Sequence, residues 1–208
     1  MRLPDRVGRS GSVPKVFAEV SALFQQYLGL PPDLAQQLTM WKATTWLSDQ
    51  LPSPPALIAL GPNMRRAVDL FQLLACGSRR ALGLTGINRA ALVGLPMDLN
   101  LTLLISQPAL SRSLSQLLTA ANYRGVHVPG KSGAILDWAG SKAIVLGSTA
   151  SPSSWSGEGL WISLPAAETE LPPLDEQARA RIAPDLQDLF RKVNWLNPSP
   201  LARGTNLN

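Results

Sequence analysis

The chain of 208 residues has one cysteine, Cys76, and one histidine, His127. A lone cysteine excludes an internal disulfide. One cysteine and one histidine also fall short of a structural zinc site, which draws on several such ligands. Aromatic residues make up only 6% of the chain, so the repeated stacking platforms of single-strand binders are missing. No apolar stretch approaches the roughly 20 residues of a membrane helix. The basic opening stretch has no apolar run behind it and does not read as a secretion signal, so the expectation is a cytoplasmic protein that does not enter a membrane. Acids are scarce as well, 14 against 19 lysines and arginines, for a net charge of +5.

What is abundant is apolar residues, at 45%, together with 18 prolines and 16 glycines. That apolar share suffices for a buried core. The prolines and glycines gather between apolar runs and act as punctuation rather than as a low-complexity tract. Residues 1–14 read as a disordered basic tail, 15–55 as a helical segment with a proline-rich linker, 56–196 as the core, and 197–208 as a flexible tail. In the first helix Val16, Val20, Leu23, Phe24 and Tyr27 recur at helical spacing and Gly29 ends the run. The second starts at Pro32-Asp33 and carries Leu34, Leu38, Trp41 and Thr45.

The pattern then changes. Ala56 to Leu60 is an unbroken apolar run of strand length closed by Gly61. Asn63 is placed to cap a helix whose inner face is read as Met64, Val68, Phe71 and Ala75. Ala81–Thr85, Leu101–Ile105, Ala143–Leu146 and Leu160–Leu164 are further strands. Helices fall at Asn88–Leu95, after Ser111, and from Pro172 to Asn197 with a break at Pro184. Val126–Val128 and Ala134–Leu136 predict a β-hairpin around Pro129-Gly130-Lys131-Ser132-Gly133. Strands alternating with helices predict an α/β fold with a mainly parallel sheet covered on both faces.

Leu38-Thr39-Met40-Trp41-Lys42-Ala43-Thr44-Thr45-Trp46, then Pro52-Ser53-Pro54-Pro55 and the first core strand, form an opening that resembles the P-loop ATPase domains of bacterial and phage helicase-like proteins. In that comparison Leu101–Ile105 resembles the metal-binding strand, Lys142–Gly147 the sensor strand and Leu160–Leu164 the last core strand. The likeness spans about residues 17 to 190. It implies a three-layer P-loop NTPase-like sandwich with a sheet of about five strands, preceded by two helices and carrying the hairpin as an insertion.

The same resemblance implies where catalytic groups belong, and they are missing. A phosphate loop needs Gly-Lys-Ser/Thr after the first strand, so that backbone N–H groups, the lysine and the hydroxyl meet phosphate and magnesium. Gly61-Pro62-Asn63-Met64-Arg65-Arg66 stands there instead. Ser106-Gln107 occupies the place of the Asp-Glu pair that serves metal and water. Glu158, in Ser156-Gly157-Glu158-Gly159, reverses the charge of a transition-state arginine. The implied function is a catalytically inactive ATPase-like adaptor or regulatory protein linked to a DNA-processing or mobile-element system, with no cofactor and with another protein as partner.

Two alternatives stand beside it. Gly125-Val126-His127-Val128-Pro129-Gly130-Lys131-Ser132 matches G-x-x-x-x-G-K-S letter for letter, so Gly125, Gly130, Lys131 and Ser132 are candidate ATP and magnesium ligands, with Asp137 the nearest carboxylate. A working loop needs a strand before it and a helix after it, whereas this segment follows a helix and precedes a strand, as a hairpin turn would. The other alternative is a nucleic acid module. Arg65, Arg66, Arg79, Arg80, Arg89, Arg112 and Arg124 face only two acids, Asp69 and Asp98, across their span, and such basic stretches attract phosphates. Arg65 and Arg66 also open the first core helix, where an anion could bind.

Overall fold

The computed structural model describes residues 13–61, 63–96, 99–129, 135–137, 139–147, 155, 157–166 and 170–196. It is an α/β domain, a three-layer P-loop-like sandwich around five parallel strands. The elements are α1 (Val13–Leu28), α2 (Pro32–Thr44), β1 (Ala56–Leu60), α3 (Met64–Gly77), β2 (Ala81–Thr85), α4 (Arg89–Val93), β3 (Thr102–Gln107), α5 (Arg112–Ala120), β4 (His127–Pro129), β5 (Ile135–Asp137), β6 (Lys142–Leu146), β7 (Gly159–Ser163) and α6 (Glu176–Leu196). The strand order is β2-β3-β6-β1-β7, and β4 pairs with β5 in a separate antiparallel hairpin. The two tails fall outside the described residues, except that α1 begins at Val13.

Parallel strands force crossover connections, and right-handedness then assigns each connection a face. From β1 the chain steps outward to the edge strand β2, so α3 lies on one face. From β2 it steps back through β3 and β6 toward β7, so α4 and α5 lie on the other. Strand side chains alternate accordingly. Leu57, Ala59, Leu104, Ala143, Val145 and Ile162 join α1, α2, α3 and α6 in one core. Ala56, Ile58, Leu103, Ile105, Ile144 and Leu146 join α4, α5 and the hairpin's Val128 in the second.

The N-terminal helices are fastened to this sheet through tryptophan. Trp41 Nε1 donates to Pro55 O at 2.9 Å and Trp46 Nε1 to Gly77 O at 2.9 Å. Trp46 also stacks on Phe190 of α6, with ring centroids 6.3 Å apart.

Three sequence expectations need correction. The inner face of α3 is not Met64, Val68, Phe71 and Ala75. Met64 is 60% exposed and Val68 46%, while Ala67, Leu70, Leu73 and Leu74 are buried. The helix carries two apolar stripes, and the one with three leucines removes more area from water. The α6 helix is not broken at Pro184, which lies inside a continuous run opened by Asp175, whose Oδ1 accepts from Ala178 N at 2.7 Å. The third strand runs Thr102–Gln107 rather than Leu101–Ile105, so Ser106 and Gln107 are its last residues instead of following it.

Candidate functional site at the C-terminal end of the sheet

In an open parallel sheet, ligands settle beyond the carboxyl ends of the strands, where neighbouring connections part to opposite faces. Here β1 leads to α3 on one face, while its neighbour β6 leads toward β7 across the other. The switch point therefore lies between Gly61 and Gly147. Backbone bonds close the floor beneath it: Gly61 N donates to Leu146 O at 3.3 Å, and Gly147 N to Gln107 O at 3.2 Å. A β-carbon at Gly147 would stand 3.8 Å from Met64 Sδ and 3.9 Å from Pro108 Cα. The exits of β1, β6 and β3 therefore meet here.

Of the residues that the resemblance aligns with catalytic positions, Gly61, Asn63, Arg65, Arg66, Ser106 and Gln107 gather around this point, whereas Glu158 precedes β7 at the opposite end of the sheet, where its O accepts from Asn122 Nδ2 at 3.1 Å. Gly61 is buried, and a β-carbon there would come 2.8 Å from Leu164 Cβ, which accounts for its glycine by packing alone. Asn63 caps α3: its Oδ1 accepts from Arg65 N at 3.0 Å and from Arg66 N at 3.2 Å. Free first-turn N–H groups are what a helix offers to phosphate, and the asparagine side chain already satisfies these two. Gln107 Nε2 donates to Ile87 O at 2.6 Å, tying the end of β3 to the approach of α4. Ser106 is half-buried beside it. Pro62 lies outside the described residues.

Arg65 and Arg66 diverge. Arg65 is exposed, whereas Arg66 is buried and donates from Nη1 to Tyr27 O at 3.3 Å, at the end of α1. Both border a cleft of about 650 Å³ with Asn63, Asp69, Glu170, Leu171 and Pro172. Burial pushes the Asp69 carboxyl up from its ordinary value, and Arg65 and then Arg66 pull it back. Two carboxylates facing two guanidiniums make this cleft a place of mixed charge, not an unopposed anion site. Among the described residues, no group of three or more His, Cys, Asp and Glu side chains is placed to hold a metal.

The literal G-x-x-x-x-G-K-S segment lies elsewhere. Gly125, exposed and at φ +78°, follows α5 and leads into β4. Helix α5 runs back from the C-terminal end of β3, so this hairpin sits at the opposite end of the sheet from the switch point. His127 is an exposed residue of β4 paired with Asp137 of β5. Gly130, Lys131 and Ser132 lie outside the described residues.

The seven arginines also divide by position. Arg79, Arg80 and Arg124 lie at the N-terminal end and hold backbone. Arg79 donates to Trp46 O and pairs with Asp49 at 3.1 Å; Arg80 donates to Leu99 O; Arg124 donates to Ser48 O and Leu51 O. Arg65, Arg89 and Arg112 are exposed in the first turns of α3, α4 and α5, none of which has an acid in that turn.

Two buried amines escaped the sequence reading. Lys42 Nζ donates to Leu73 O at 2.6 Å and lies 5.5 Å from the Phe24 ring centroid. Lys142 Nζ donates to Ala121 O at 2.9 Å and Asn122 Oδ1 at 2.6 Å. Desolvation lowers both to about 7; for Lys42 the neighbouring Cys76 acts weakly the other way. The available signal was position: Lys42 follows Leu38 by four residues on the buried side of α2.

No protein-family model matches this chain, and no curated protein matches it.

Proposed function

We propose that the chain is a P-loop-ATPase-like domain that does not turn over nucleotide and serves as an adaptor or regulatory protein, in keeping with its resemblance to helicase-like proteins of DNA-processing or mobile-element systems. One observation carries this reading. At the switch point of a parallel sheet, the first-turn amides of α3 are bonded to the Asn63 side chain, and neither a lysine nor a hydroxyl stands between Gly61 and Arg66. Ser106 and Gln107 supply neutral groups where a divalent cation needs carboxylates. Loss of a single charge-stabilising arginine in phosphoryl transfer costs about 10³ to 10⁵ in rate; here the phosphate lysine and the metal ligands are missing as well. What is left is a rigid sheet with exposed surfaces suited to binding another protein.

Calorimetric titration with magnesium-ATP tests the proposal. The expected result is no saturable heat and no phosphate release above buffer. Saturable binding abolished by Lys131→Ala would instead assign nucleotide to the Gly125–Ser132 segment and overturn it.

A further inference from the structure

The outer edge of β7 carries a row of unused backbone groups. Among the described strands, β7 pairs with β1 alone. Leu164 N donates to Leu60 O at 2.7 Å. Backbone N–H and C=O groups alternate sides from residue to residue along a strand. Leu160 and Ile162 therefore turn toward β1, as Leu164 does, while Gly159, Trp161 and Ser163 turn their N–H and C=O outward. On that side none of the three bonds to another described residue. Their side-chain positions share the second face, since Gly159 stands beside Ala56 and Trp161 beside Ile58. Gly159 has no room for a side chain, because a β-carbon there would come 2.7 Å from Ile58 Cδ1 and 2.9 Å from Ala56 O. Trp161 lies in mid-strand and is still 37% exposed. A large apolar ring thus stands at the rim of the sheet, between a glycine and an exposed serine.

Backbone geometry and charge choose the occupant. Sheets keep an edge single with charged side chains, proline or a bulge. The other edge strand, β2, follows directly on Arg79 and Arg80, whereas β7 from Gly159 to Ser163 contains neither charge nor proline. The edge of β7 is also complementary to itself. In an antiparallel ladder, every second pair of opposed residues exchanges both N–H···O=C bonds. When a second copy is laid on the edge about a twofold axis at Trp161, the two Trp161 residues meet, and each Gly159 meets the other copy's Ser163. Every outward N–H and C=O then has a partner. The nearest charge, Glu158, falls opposite the other copy's Leu164. The two Glu158 residues stand about 20 Å apart along the ladder, well beyond the screening length at physiological salt, so no charge in the ladder meets its like.

We propose that the chain self-associates through β7. Two copies join antiparallel about Trp161, their five-stranded sheets become one continuous sheet, and the two indoles lie side by side on the second face. This dimer goes beyond the adaptor reading and does not depend on it. A twofold contact of this kind occupies both β7 edges and closes at two copies. It leaves β2 and the C-terminal end of the sheet free.

Sedimentation equilibrium on the full chain is the test. The expected result is a reversible dimer at chain concentrations up to about 0.5 mM, as suits a small interface. Trp161→Glu sets two carboxylates face to face on the axis and should weaken the dimer about tenfold or more. Ser163→Pro removes an outward N–H that β1 does not use and should weaken it as well. Ser163 is exposed, so this variant keeps the fold even where Trp161→Glu does not. Cysteine placement reads the register. Trp161→Cys puts two thiols on residues about 5.5 Å apart and should give a disulfide-linked dimer under mild oxidation. Ser163→Cys puts them about 14 Å apart and should not, and Cys76 is buried and does not compete. Parent protein that stays monomeric over the whole concentration range overturns the proposal. So does a dimer that both Trp161→Glu and Ser163→Pro leave intact, a mass that grows beyond two copies, or equal cross-linking of the two cysteine variants.

Discussion

Single residues show where this fold carries strain from its own composition. Lys42 and Lys142 are fully buried amines lowered to about 7 from 10.5. In the unfolded chain both hold their protons up to the ordinary lysine value. Between about pH 7 and 10 the unfolded state therefore binds more protons than the folded one, and stability rises with pH across that window. Raising the pH from 7 to 9 should stabilise the protein by on the order of 2 kcal/mol per lysine. Lys42→Met should flatten that slope and leave stability at pH 7 equal or higher, because an apolar side chain of similar volume carries no charge to desolvate. Urea melts at the two pH values check both. The hydrogen bonds of Lys142 persist on deprotonation, since a neutral amine keeps two N–H donors. Cys76, whose thiol burial pushes up, acts in the opposite sense only near and above pH 9. Sequence position sets Lys42 on the same side of α2 as Leu38, but it could not show that either lysine's amine is shut off from water. A lysine among apolar residues usually snorkels to water, and only the tertiary packing that sets Phe24 of α1 and Leu73 and Gly77 of α3 around Lys42 closes its exit.

Among the elements, α3 unites the candidate site and the mixed-charge cleft. Its start was legible, because Asn63 before a helical run is a strong capping signal, and the Asn63 side chain accepts two amide bonds. Asn63→Ala should cost about 1 kcal/mol of stability in chemical denaturation. It should also free the Arg65 and Arg66 amides. If that capping bond is what closes the helix end to anions, the variant binds sulfate or phosphate more tightly than the parent protein, which calorimetry would register. The face of α3 was not legible. Met64, Val68, Phe71 and Ala75 satisfy helical periodicity as well as Ala67, Leu70 and Leu74 do, and periodicity states that a stripe exists without saying which of two turns inward. The continuity of α6 escaped for a related reason. Pro184 disfavours a helix locally by about 3 kcal/mol, and packing of Leu186 and Phe190 into the core outweighs it.

At the scale of the molecule, the arginines divide by end of the sheet rather than forming one patch. Arg79 and Arg124 clasp residues 46–51 from two sides, binding the linker that joins the N-terminal helices to β1. Replacing both with alanine should lower the melting temperature by several degrees, on the basis of about 1–2 kcal/mol for charge-assisted bonds to backbone. It should also speed proteolytic cutting between Leu47 and Pro55, scored by mass spectrometry. Salt should barely affect the parent melting temperature, since three of these four clasps end on neutral carbonyls rather than on acids. By itself the sequence determined the elements, their α/β alternation and hence a parallel sheet, because apolar period and turn residues are local properties of the chain. It also determined that no lysine or hydroxyl stands between Gly61 and Arg66 and that Ser106 and Gln107 are neutral. Only the tertiary structure decided the strand order, which stripe of α3 meets the core, and which arginines hold backbone and which face solvent. These depend on contacts between residues far apart in the chain, whose area and hydrogen bonds no local pattern encodes.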